Sequence, residues 1–170
     1  VFVNSYHIAK SENCSEEQIR NILIAAIFHD YNHSGGKKSD SENIEEAISF
    51  FKNHSKESKS FNDSIIEIIK ATEYPYTIKE ESLTLEQKII RDADLTQMYT
   101  DNFLQQVIYG LLVQEQGLSF EKAIEAQMKF MNSVYPLTKY GNVLYDKFMD
   151  KRMSDLIYIN KIKNKEYNNA

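Results

Sequence analysis

The chain has 170 residues, 42% of them hydrophobic and 26% charged, with a formal net charge of −5. That length and balance suit one globular domain with a real core and exclude a disordered chain. The negative charge disfavours duplex nucleic acid and anionic membrane as partners. No apolar run approaches the roughly 20 residues of a membrane span. Cys14 is the only cysteine. Neither an internal disulfide nor a thiolate zinc cluster is possible, and a reducing, cytoplasmic-type compartment is expected. The opening residues carry no signal-peptide pattern. They begin at Val1 rather than Met, so part of the natural N-terminus is expected to be missing.

In chain order the pattern is helical throughout. Residues 1–10 read as the end of a helix with Phe2, Tyr6 and Ala9 on one side. Ser15-Glu16-Glu17-Gln18 has the capping-box form and predicts a helix start. Ile19, Ile22, Leu23, Ala26 and Ile27 follow at helical spacing, and Ile24, Ala25 and Phe28 widen the apolar surface, as in a central buried helix. That helix should stop near Asp30, before the loop formers Asn32, Ser34, Gly35 and Gly36. A third helix is predicted from Ser41 to about Asn53, then a polar connector over 53–64, then a helix marked by Ile65, Ile66, Ile68 and Ile69. Thr84 starts another, leading through Ile89 and Ile90 into Arg91-Asp92-Ala93-Asp94-Leu95. Long helices are expected over Met98–Glu115, Ser119–Val134 and Asn142–Lys161, with Gly117 and Pro136 as breaks. Two prolines and five glycines are few for a β-rich fold. The expected fold is an all-α helical bundle, one domain over 1–160 with a frayed tail over 161–170.

Polar residues on apolar backgrounds mark the chemistry. His7 lies in the first helical piece, His29-Asp30 end the central helix, and Asp92 and Asp94 follow Ile89-Ile90. Buried carboxylates and imidazoles need partners, and a shared cation can satisfy all of them. Such a mixed N/O set suits manganese, iron, zinc or magnesium. Asp92 and Asp94 stand about 200° apart on a helix, so one of them faces such a site. The stretch Gly35-Gly36-Lys37-Lys38 reads either as a solvated turn or as a loop carrying two ammonium groups toward a phosphate. Tyr31 and Tyr74 are the tyrosines best placed to line a cleft.

The order His, His-Asp, Asp in an all-α chain resembles the HD-domain metal-dependent phosphohydrolases. The details are most similar to the cyclic-nucleotide phosphodiesterase branch. Its HDxxHxG is matched by His29-Asp30-Tyr31-Asn32-His33-Ser34-Gly35, and its Asn-Ser-x-His by Asn4-Ser5-Tyr6-His7. Its Ala-Asp-Leu-Ser is matched by Ala93-Asp94-Leu95-Thr96, and its Ala-Thr-Asp by Ala71-Thr72-Glu73. The resemblance covers about residues 2–100. It implies the HD helical bundle and one or two divalent ions held by His7, His29, Asp30 and Asp94, with Asp30 bridging. It favours Asp94 over Asp92, leaving Asp92 as a helix-end carboxylate or a neighbour of the ligands. His33 and Glu73 would contact metal-bound waters or the phosphate, with Lys37, Lys38 and Arg91 as further candidates. The implied activity is hydrolysis of a small, nucleotide-type phosphodiester by metal-activated hydroxide. The alternatives are a phosphomonoesterase, a nucleotide pyrophosphohydrolase, or a non-catalytic regulatory module that binds metal. The chain departs from the branch at Val3, where the family places the histidine that protonates the leaving oxygen. It also lacks a counterpart of the glutamine-and-aromatic clamp for a purine.

Overall fold

The computed structural model describes residues 1–167, with side chains through Ile162. Among them there is no β-strand. The helices are α1 (Phe2–Ser11), α2 (Glu16–Phe28), α3 (Asp40–His54), α4 (Lys59–Lys70), α5 (Leu85–Leu95), a wide π-type helix (Leu104–Glu115), α6 (Phe120–Ser133) and α7 (Lys139–Tyr167). The all-α expectation holds.

Serine and threonine side chains set where five of these helices begin. Ser15, Ser39, Ser58, Thr84 and Ser119 each accept the backbone N–H three residues on. Each therefore satisfies one of the donors that a helix start leaves without a partner. At Ser15, Ser39 and Thr84 the side chain of Gln18, Glu42 or Gln87 returns the bond and completes a capping box. The expected connector over 53–64 shrinks accordingly. Ser58 caps α4, and Lys59 to Ser64 form its first turns. Those turns are polar because they face solvent, so apolar periodicity does not reveal them.

The chain divides into two compact units. The first comprises Val1–Thr96 with Pro136–Gly141, the second Gln97–Tyr135 with Asn142–Ala170. In the first unit, α2 sits between two apolar clusters. Ala25 and Ala26 join Ile44, Ile48 and Phe51 of α3 with Ile65, Ile66, Ile68 and Ile69 of α4. Ile19 and Ile22 join Ile8 and Ala9 of α1 with Ile89 and Ala93 of α5. A helix with apolar residues nearly all round is the one that can serve two cores.

In the second unit, the wide helix packs on α6. It buries Val107, Ile108 and Leu112, and α6 buries Ala123, Ile124, Gln127 and Met131. The continuous helix predicted over Met98–Glu115 is instead a short 3₁₀ turn, Thr96–Tyr99, followed by the wide helix from Leu104. The wide helix ends with Gln116 N–H bonded to Leu111 at 3.0 Å and Gly117 left-handed at φ 68°. Residues 161–167, expected to be frayed, continue α7, and the rest of that tail lies outside the described residues.

Asp92 ties α5 to the start of α7 within the first unit. It is 2% exposed and accepts from the Leu137 and Thr138 amides and from the Thr138 hydroxyl at 2.6–3.1 Å. Burial pushes its pKa up, while the bonds from Thr138 and Leu137 oppose the shift. The carboxylate thereby meets the positive end of a long helix dipole. Gly141 is what lets that turn come so close. A Cβ there would lie 2.9 Å from both Asp92 Cγ and Pro136 Cβ. Gly141→Ala should therefore lower unfolding free energy by about 2 kcal/mol or more. Urea titration of wild type and variant measures this, and equal midpoints would contradict the packing.

Candidate metal centre

Helix α2 ends where its sequence changes character. The His29 amide still bonds to Ala25 at 2.9 Å, after which Tyr31 turns back to Phe28 and His33 to Asp30. Asn32, Gly35 and Gly36 all hold positive φ, at 57°, 60° and 84°. The two glycines adopt this at no steric cost. The turn fixes His29 and Asp30 at the C-terminal end of α2, where the helix dipole favours positive charge.

His29 is 5% exposed. Its Nδ1 lies 3.1 Å from the Ala26 carbonyl, which accepts a proton only, so Nδ1 carries the hydrogen and donates. Nε2 is therefore the nitrogen left to face the carboxylates, and the one that would lose its proton to take a cation. Nε2 lies 3.0 Å from Asp30 Oδ2 and 3.8 Å from Asp94 Oδ1. Although buried, it makes no aligned hydrogen bond. Ligand atoms of His29, Asp30 and Asp94 all lie within 4.8 Å of one another. An imidazole held through its other nitrogen by a carbonyl, facing two carboxylates, is the donor set and orientation that a divalent cation takes. Burial disfavours the charged ring, but the Asp30 and Asp94 carboxylates outweigh it and raise its pKa to about 10. Burial would also raise the Asp30 pKa, but His29, with a smaller contribution from His33, lowers it.

His7 is exposed, edge-on to Tyr6 at 5.8 Å, and outside the close group. Its helix nevertheless reaches α5, because Asn4 Nδ2 donates to Thr96 Oγ1 at 2.5 Å. His33, exposed, accepts the Gly35 amide at Nδ1, 3.3 Å away, and acts electrostatically on Asp30. Glu73 is half-buried. Lys37 is exposed, and Lys38 pairs with Glu46. Two candidates turn away to structural partners. Asp92 holds residues 137 and 138, as described. Arg91 is buried, donates from Nε to the Ala71 carbonyl at 2.5 Å, and lies 4.1 Å over the Tyr76 ring. Tyr31 stacks on Phe50 at 3.6 Å, and Tyr74 meets Tyr76 edge-on.

Asp40 was not singled out by its sequence context. It opens α3, accepts the Tyr74 amide at Oδ2, and feels the charges of His33, Asp30 and Glu73. Burial raises its pKa, opposed by the bond from Tyr74. In the sequence it looks like an ordinary first-turn acid beside a cap. Only the fold gives it company, through the return of the 73–74 segment and the nearness of His33 and Asp30.

These shifts give a pH signature for the metal-free protein. The raised His29 pKa contributes stability that is fully present below about 6.5 and is lost as pH rises through about 10. The lowered Asp30 pKa contributes stability above its unfolded value near 3.8 and loses it as pH falls further. Melting temperature in chelator should therefore decline from pH 6.5 to 10, and His29→Gln should flatten that slope. An unchanged slope in His29→Gln would contradict the assignment.

No curated protein and no solved structure matches the chain. Among the described residues no helix is long and apolar enough to cross a membrane. The family model described as HD domain matches residues 1–99, close to the first compact unit. HD domains are in general metal-dependent phosphohydrolases that bind divalent ions, and by this match the chain belongs to the HD domain family.

Proposed function

We propose that the chain is a divalent-metal-dependent phosphodiesterase acting on a small, nucleotide-type substrate, with His7, His29, Asp30 and Asp94 as metal ligands. One observation carries the reading. His29 Nε2 is buried without an aligned hydrogen bond, between the carboxylates of Asp30 and Asp94. A buried polar atom in that position costs stability unless something meets it. One or two ions of manganese, iron, zinc or magnesium, when bound, would acidify a coordinated water and neutralise charge on phosphoryl oxygens.

The chain's own residues would do the rest. Ala26 holds the His29 ring so that only Nε2 faces the carboxylates. The Asp30 side chain is 59% exposed and that of His29 only 5%, so a substrate would approach over Asp30. Lys37, exposed on the loop that follows, would bring positive charge to the phosphate and His33 a hydrogen bond, with Glu73 orienting water.

A second reading, a phosphomonoesterase or nucleotide pyrophosphohydrolase, draws on Val3. This residue is 62% exposed at the position where the phosphodiesterase branch carries its acid, and valine has no proton to give. A leaving group that departs without protonation, such as a phosphate of a nucleoside polyphosphate, would suit such a site.

Two measurements follow. With manganese, bis(p-nitrophenyl) phosphate should be hydrolysed faster than p-nitrophenyl phosphate. Asp30→Ala should lose at least about 100-fold, more than residues behind the ligands typically cost. Monoester turnover alone would transfer support to the second reading, and equal turnover by wild type and variant would end the proposal. Because His29 holds its proton up to about pH 10 without metal, manganese binding at pH 7.5 should release about one proton per ion and tighten as pH rises. Titration calorimetry in buffers of different ionisation enthalpy counts that proton, and a count of zero would contradict ligation by His29.

A further inference from the structure

Three of the four proposed ligands stand within 4.8 Å of one another and His7 does not. What commits the His7 helix to the centre is thus a separate question. Apolar packing brings α1 close, since Ile8 and Ala9 are fully buried against Ile89 and Ala93. Apolar contact is not directional, however, and leaves the rise and roll of α1 loosely set. A directional contact is present one turn before His7. Asn4 Nδ2 donates to Thr96 Oγ1 at 2.5 Å, and the same hydroxyl donates to the Ala93 carbonyl at 2.5 Å.

The two bonds use the hydroxyl in both senses, which fixes its orientation. Thr96 is 6% exposed, so water competes poorly for either partner. Asn4 and His7 are three apart on α1 and share a face. Thr96 is the C-cap of α5, two residues after Asp94, and its bond to Ala93 holds the turn that carries Asp94. The Asn4–Thr96 contact therefore references the His7 turn to the Asp94 turn across 92 positions of sequence.

We infer that Asn4 and Thr96 are positioning residues of the metal centre, setting divalent-ion affinity by registering His7 against Asp94. The inference rests on the metal-centre reading above. Asn4→Ala and Thr96→Val each remove one side of the bond, and Thr96→Val keeps the side-chain shape. Each should weaken binding about 10- to 100-fold, the usual effect of a group behind a ligand. Thr96→Ser keeps the hydroxyl and should bind as wild type.

The test is a manganese titration of the full chain after chelator treatment, followed by electron paramagnetic resonance, with no substrate present. The decisive variant is Asn4→Ala combined with His7→Ala. If Asn4 acts through His7, it adds less than about threefold once His7 is gone, because contacts that act as a unit are not additive. A purely structural role would add the same factor in both backgrounds and overturn the inference. So would unchanged affinity in Asn4→Ala while His7→Ala is weakened. Should Thr96→Val fail to fold, Asn4→Ala, at a half-buried position, still decides the matter. Wild type without manganese affinity, or His7→Ala binding as wild type, would overturn the metal-ligand reading and the inference with it.

Discussion

The first compact unit depends on the placement of one imidazole. His29 is buried at the end of the helix that serves both apolar clusters, with one nitrogen bonded to Ala26 and the other facing Asp30 and Asp94. A buried ring with an open lone pair between two carboxylates is costly without a positive charge. In the metal-free protein a proton supplies it, which is why the His29 pKa rises to about 10. A divalent ion bound as proposed would compete with that proton for the same place. The fold around it, α2 packed centrally and α5 brought alongside, holds that place open.

Two neighbouring carboxylates on α5 show how one helix serves stability and chemistry together. Asp92 and Asp94 differ by two positions and point to opposite duties. Asp94 joins His29 and Asp30, and Asp92 holds the turn before α7 through four hydrogen bonds made close by Gly141. Arg91 adds a third tie, to the Ala71 carbonyl and the Tyr76 ring. The roll of α5, and with it the direction of Asp94, is therefore constrained from several sides. Arg91, a candidate for the phosphate, is thus also a tie of the scaffold.

Much of this was legible in the order of residues. Ser15 with Gln18 and Thr84 with Gln87 announce helix starts through local hydrogen-bond chemistry that needs no distant partner. The all-round apolar surface of 19–28 announces a central helix, and the spacing of His7, His29-Asp30 and Asp94 pointed to a metal-binding family whose model matches residues 1–99. Less legible were elements whose exposed faces hide their periodicity. The first turns of α4, Lys59 to Ser64, read as a connector, and the apolar run from Met98 hid a change from a 3₁₀ turn to a wide helix. Apolar count is the same in both kinds of helix, so only the hydrogen-bond register distinguishes them.

What the residue order determined by itself is local: caps, breaks and amphipathic faces. These follow from interactions a few residues apart. Everything that requires two distant segments to meet was decided by tertiary structure. The helix roll that separates Asp94 from Asp92 comes from packing and from bonds to residues 137 and 138. Asp40 gains its neighbours from two distant places, His33 and Asp30 after α2 and the returning segment of Glu73 and Tyr74. Which nitrogen of His29 is left open follows from the Ala26 carbonyl lying beside the other. Side chains can be chosen by their chemistry in the sequence, but their directions and pKa values belong to the fold that surrounds them.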